Sequence, residues 1–113
     1  MALALNSYKT ITSIATTSPV GIYTAPVGYT GIVLLAQIAN VGSQTYTVTV
    51  SHRRSVSGIA VTTEIVKDFP IAENDTASIL NGKLVLEPND VLVLSANNAS
   101  NLKFIGSVLE TLN

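Results

Sequence analysis

The residues able to do chemistry in this chain are few and scattered. His52 is the only histidine among 113 residues, and there is no cysteine. As a general base, His52 would need a nucleophile and an orienting carboxylate beside it. No serine sits in the strand-turn-helix elbow that presents a nucleophile, so His52 reads as a strand residue near a hairpin tip. One histidine without cysteine leaves too few ligands for a transition-metal site. Glu73-Asn74-Asp75 and Asn89-Asp90 offer oxygen donors. Neither has the spacing of a calcium loop, and both fit ordinary Asx turns. Asn74-Asp75-Thr76 and Asn98-Ala99-Ser100 match the N-glycosylation pattern, which carries little without a secretory leader. The expectation is a protein with no catalytic residues, no metal and no cofactor.

Arg53 and Arg54 are two of only six basic residues. That is too few for a nucleic-acid footprint, and a net charge of -1 gives no pull toward nucleic acid or an anionic membrane. Adjacent on a strand, the two arginines point to opposite faces. They fit either a solvated hairpin end or a subunit contact, where arginine pairs bidentately with carboxylates. Tyr23 and Tyr29 flank the turn at Pro26, where their rings could meet a neighbouring subunit or cap the core. Without tryptophan, and with the tyrosines dispersed, no aromatic platform for carbohydrate is evident.

The elements that must position these residues are strands. Val, Ile, Thr and Tyr dominate, and turn signals recur at the intervals typical of sandwiches and barrels. Strands are expected at Ser7 to Ala15, Val20 to Thr24, Gly31 to Asn40, Gln44 to Arg54, Ile59 to Phe69, Thr76 to Leu80, Lys83 to Leu86, Val91 to Ala96 and Leu102 to Leu112. Pro70 is expected to end its strand, and Asn81-Gly82 is the strongest short hairpin signal. About eight or nine short strands without a helix imply a single all-β domain over residues 1–113. The expected architecture is an antiparallel two-sheet β-sandwich, jelly-roll or immunoglobulin-like. The longest apolar run, Gly31 to Ala39, contains Gln37 and is less than half of a membrane-spanning helix; it reads as a strand buried on both faces. Met1 to Leu5 is apolar but short and lacks a basic leader, so it does not read as a signal peptide.

Charge is the missing ingredient. Only 12% of the chain is charged while 47% is hydrophobic, against about 25% charged in ordinary soluble domains. Thr, Ser and Asn fill the gap, and a hydroxyl or amide loses far less than an ion on dehydration. Such a surface suits assembly. Within Gln44 to Arg54, Tyr46, Val48, Val50 and His52 share one face, and Thr45, Thr47, Thr49, Ser51 and Arg53 the other. A hairpin with Ser55 to Gly58 at its tip sets Val48 opposite Ile65, Thr49 opposite Glu64, His52 opposite Val61 and Val50 opposite Thr63. Thr45, Thr47, Thr49, Ser51 and Thr62 then form a hydroxyl-rich face, either solvated or covered by a neighbouring subunit. Low charge and sparse lysine at strand edges favour the second. The candidate subunit contacts are Thr45, Thr47, Thr49, Arg53, Arg54, Tyr23 and Tyr29.

Several stretches together are familiar. They are Tyr8-Lys9-Thr10-Ile11-Thr12, the segment Ile22 to Gly31, Ala39-Asn40-Val41-Gly42 and Val50-Ser51-His52-Arg53-Arg54. Gly82 to Glu87 with Asp90 and the ending Val108-Leu109-Glu110-Thr111 complete the set. Spread over nearly the whole chain, they resemble small virion structural proteins of tailed bacteriophages, notably those of marine and cyanobacterial phages. The matching motifs are turn and strand signatures, with no catalytic residue to carry over. The resemblance implies a non-enzymatic particle component, assembled in the host cytoplasm. The expected partners are itself, as a trimer or larger ring, and other virion proteins of the capsid or tail. Capsid decoration is taken ahead of a tail, baseplate or fibre role. A carbohydrate- or receptor-binding module using Asn97 to Asn101 and Glu73 to Asp75 is the alternative.

Overall fold

A computed structural model describes residues 6–113. The β-branched, turn-punctuated sequence forms nine strands: β1 (Asn6–Ile14), β2 (Val20–Thr24), β3 (Tyr29–Asn40), β4 (Tyr46–Val56), β5 (Ile59–Ile71), β6 (Thr76–Ser78), β7 (Leu84–Leu86), β8 (Val91–Ala96) and β9 (Leu102–Leu112). Among the described residues there is no helix, hence none that could cross a membrane. One sheet has the order β1-β9-β3-β6, with β7 also on β3; the other is β2-β8-β4-β5. Every pairing is antiparallel.

The pairings are nested. β4 pairs β5, β3 pairs β6 and β7, β2 pairs β8, and β1 pairs β9. The chain is thus one long hairpin rolled over on itself, with successive strand pairs falling alternately in the two sheets. That is the jelly-roll form of the expected sandwich. Period-two alternation sends Val33 and Ile38 of β3 and Leu102, Phe104 and Val108 of β9 inward. They meet Val48, Val50, Leu92 and Leu94 of the other sheet, all nearly devoid of solvent contact.

Four expectations need correction. The hairpin turns on Ser57-Gly58, both with positive φ (51° and 80°), so β4 runs on to Val56. Glu64 then lies opposite Ser51 and Thr63 opposite His52; past irregularities flanking Val50, Phe69 pairs Val48. Near the tip the shift is two residues, which keeps every side chain on its expected face. Pro70 does not end β5, which pairs through Ile71; an edge strand has no need of the N–H that proline lacks. Asn81-Gly82 does not make a hairpin. β6 pairs Gln37–Ala39 and β7 pairs Gly31–Val33, because the long edge of β3 offers both segments a partner that two three-residue strands cannot offer each other. Finally, β3 is covered on one face only. Val33, Ala36 and Ile38 are buried, but Leu34 and Leu35 are exposed, since a two-layer sandwich has no third layer to cover them.

This core predicts an asymmetric response to truncation. Ile38→Ala should lower the free energy of unfolding by about 3 kcal/mol. Ile59→Ala, at an exposed position beside the hairpin turn, should change it by less than about 0.5 kcal/mol. Urea titrations with an unchanged slope check both.

Candidate assembly surfaces

The charged side chains nearest the interior pair with one another. Asp90 immediately precedes β8 and is buried. The Arg54 guanidinium reaches it from β4 through Nε and Nη2, at 3.1 and 2.7 Å, and Nη2 also meets Glu87 at 2.7 Å. His52 Nε2 lies 2.9 Å from Asp90 Oδ2; a carboxylate only accepts, so the ring N–H donates. The backbone N–H of Glu87 donates to the same oxygen, closing the Glu87-Pro88-Asn89-Asp90 turn. The Arg54 hydrogen bond, helped by His52 and the Glu87 amide, holds the Asp90 carboxyl down at about 2 against the opposing effect of burial. The same pairing raises Arg54. His52 is therefore a strut for a turn, and among the described residues no hydroxyl is hydrogen-bonded to it.

A second tie crosses the sandwich. The Tyr23 hydroxyl on β2 donates to Glu110 Oε2 on β9 at 2.6 Å, and Lys9 Nζ of β1 stands 3.1 Å from Oε1. Gly31, beside Glu110 in the sheet, makes the room: a Cβ there would sit 2.9 Å from the tyrosine oxygen. Burial, then the Glu110 carboxylate, pushes the Tyr23 phenol well above its ordinary range. Asn40 makes a third tie. Its Nδ2 donates to the carbonyls of Gln44 and Ile71, and its Oδ1 accepts from the Gly42 amide. Among the described residues no buried side-chain nitrogen or oxygen lacks a partner, and no three His, Cys, Asp or Glu residues cluster as metal ligands would.

The anticipated contact residues separate. Thr47, Thr49 and Arg53 lie on the outer face of the four-stranded sheet with Ser51, and Thr62 and Glu64 flank them from β5. Thr45 is exposed just ahead of β4. Part of this face is already occupied from within: Ser51 and Val93 are buried, and Thr49 Oγ1 accepts from the Asp68 amide. Arg54 turns to Asp90. Tyr23 is 8% exposed and belongs to the core; Tyr29 is half-buried at the start of β3.

The larger apolar surface is on the other sheet, and the sequence reading did not single it out. In register, Tyr8 of β1 lies opposite Leu109 of β9, Leu109 opposite Ile32 of β3, and Ile32 opposite Val85 of β7. These four make an unbroken apolar row across the outer face. Tyr8 is 75% and Val85 53% exposed. Ile105, Leu35 and Ile14 add to the patch, interleaved with Thr10, Thr12, Ser107, Gln37 and the charged Lys103. The signal was available. β3 is apolar at odd and even positions, and β9 carries Ile105 and Leu109 off its inward set, whereas a strand in a two-layer sandwich should have one polar face.

No protein-family model matches the sequence, and no curated protein matches it. Solved structures match in fold. The chain superimposes on a chain of the acid-stable capsid of Helicobacter pylori bacteriophage KHP30 with a TM-score of 0.52 and 15% identity, over 96% of this chain and 89% of that one. A chain of the infectious bursal disease virus particle gives 0.56 at 8% identity, over 97% of this chain and 32% of that one. A mutant VP2 protein of the same virus, from T=1 particles, gives 0.51 at 9% identity, over 96% and 32%. Capsids use this fold. At these identities the sandwich alone is what is shared, and this chain spans about a third of the bursal disease virus chains.

The Asp90 cluster predicts a pH signature. With its carboxyl lowered from 3.8 to about 2 in the folded state, its contribution is full above pH 3.8 and disappears as pH falls through about 2. Asp90→Ala should destabilise by about 2–3 kcal/mol at pH 7. The gap from the unsubstituted protein should shrink steadily between pH 4 and pH 2, read from urea midpoints.

Proposed function

We propose that this chain is a non-enzymatic structural protein of a virus particle, a jelly-roll subunit that buries the outer face of its five-stranded sheet against other subunits. The apolar row Tyr8–Leu109–Ile32–Val85 carries the reading. A free monomer gains nothing from such a row, whereas a subunit gains roughly 25 cal/mol for each Å² it covers. Strand spacing and rise put the face at about 600 Å², approaching the ~800 Å² per partner of a standard interface. The fold shared with capsid chains supports the same reading.

In its finer form, the particle is a tailed phage and the subunit is a decoration protein that self-associates as a trimer or ring and docks on the capsid. A tail or baseplate position would use the same face. Thr45, Thr47, Thr49 and Arg53 remain contacts for a second neighbour on the opposite side, and Tyr29 a contact at the start of β3. The loops suggested for carbohydrate binding are less suited to it. Asn97 bonds Thr47, Asn101 bonds Asn98, and the backbones of Asn74 and Asp75 bond Asn40.

Mass spectrometry of gradient-purified particles should find the protein in fixed stoichiometry with the major capsid or tail protein; its absence would refute the role. Ile105→Lys should leave far-UV circular dichroism unchanged and the melting temperature within about 3 °C, yet reduce incorporation at least tenfold. Thr47→Lys probes the opposite face and should reduce incorporation less.

A further inference from the structure

Among the described residues the sandwich has four sheet edges, and three carry devices that block the addition of another strand. β5 is interrupted by irregular pairing on either side of Val50, a left-handed Asp68, Lys67 and Pro70. The edge beyond β3 is broken into β6 and β7, three residues each. β2 has five residues, an irregularity between Gly21 and Tyr23, and prolines just outside both ends. β1 has a lysine but none of the other devices. Its nine residues keep one register with β9, without bulge or proline. Its single charge, Lys9, leans toward Glu110.

The hydrogen-bond phase of this edge is fixed. The Ala15 N–H donates to the Leu102 carbonyl, so the odd-numbered residues of β1 exchange bonds with β9. The N–H and C=O groups of Asn6, Tyr8, Thr10, Thr12 and Ile14 point to the open side. Among the described residues no strand pairs with them.

We propose that β1 is a homotypic docking strand: two copies of this chain pair their β1 edges antiparallel about a two-fold axis at Thr10, fusing two five-stranded sheets into one. The sequence is self-complementary in that register. Thr10 faces Thr10 of the partner subunit, Tyr8 faces Thr12 of the partner subunit, and Asn6 faces Ile14 of the partner subunit. All five outward residues are then paired. Lys9 falls opposite Ile11 of the partner subunit, whereas moving the axis by one residue to Lys9 would set two lysines against each other. The outer faces of the two copies then lie on the same side of the fused sheet.

The strand is about 30 Å long and a sheet edge about 10 Å deep, so the contact covers about 300 Å² per partner. That lies below a standard interface. The pairing is weak between free subunits and is reinforced where many copies are held together. The inference rests on the assembly role proposed above and names one of its contacts.

The chain has no native cysteine, so a single introduced one reports cleanly. Facing residues of a hydrogen-bonded antiparallel pair have Cα atoms about 5.5 Å apart, within disulfide range. Purified Thr10→Cys under mild oxidation should form a disulfide dimer at least tenfold faster than Thr62→Cys on β5. Adding Thr12→Pro, which removes an outward N–H and no bond to β9, should bring the rate down to that control. Amide exchange at Tyr8, Thr10 and Thr12 should slow as the protein is concentrated. Equal cross-linking rates, or exchange independent of concentration, would overturn the homotypic pairing and leave the virion role standing. Rapid cross-linking of a protein absent from particles would overturn the virion role and leave the pairing standing.

Discussion

The pairing of β3 with β9 is what the rest of this structure depends on. It runs from Tyr29–Leu112 to Asn40–Leu102 and brings the last strand of the chain into the middle of the five-stranded sheet. β1, β6 and β7 then have strands to join, and the inner faces of β3 and β9 supply most of that sheet's side of the core. On the outer face β3 presents Ile32, Leu34 and Leu35, and β9 presents Ile105 and Leu109 among Lys103, Ser107 and Thr111. Two layers bury one face of each sheet, so stabilising the sandwich leaves an apolar face open. In the proposed assembly, folding and association draw on the same pair of strands.

Charge is handled consistently with that. The ionisable groups near the interior are matched in pairs: Asp90 with Arg54 and His52, Glu110 with Tyr23 and Lys9. Each ties elements that backbone pairing alone does not fix, the β7–β8 turn to β4 and one sheet to the other. Ions at these positions are not on the faces proposed to dry out against a neighbour. The low charge of the chain is therefore spatially organised, with its apolar consequence concentrated on the five-stranded sheet and its hydroxyl-rich consequence on β4.

Strand positions were readable because local chemistry sets them. β2, β8 and β9 fall where β-branched residues and turn signals place them. Features decided by distant residues were not readable. Asn81-Gly82 has good hairpin chemistry, but its flanks prefer β3, which no local window contains. The β4–β5 register depended on choosing Ser57-Gly58 over a longer loop and on pairing irregularities without a distinctive residue signature. Tyr23 was legible as an amphipathic ring near a turn; its partner Glu110 lies 87 residues away. The outer apolar face is visible as the run Gly31 to Ala39, which taken alone reads as a strand buried on both faces.

Hydroxyl-radical footprinting of the free protein against assembled particles tests the central claim most directly. Burial of the five-stranded sheet predicts strong protection of Tyr8, Ile105 and Leu109 on assembly, with Ile59 at the hairpin turn less affected. Unchanged reactivity at Tyr8, Ile105 and Leu109 in particles that contain the protein would contradict it.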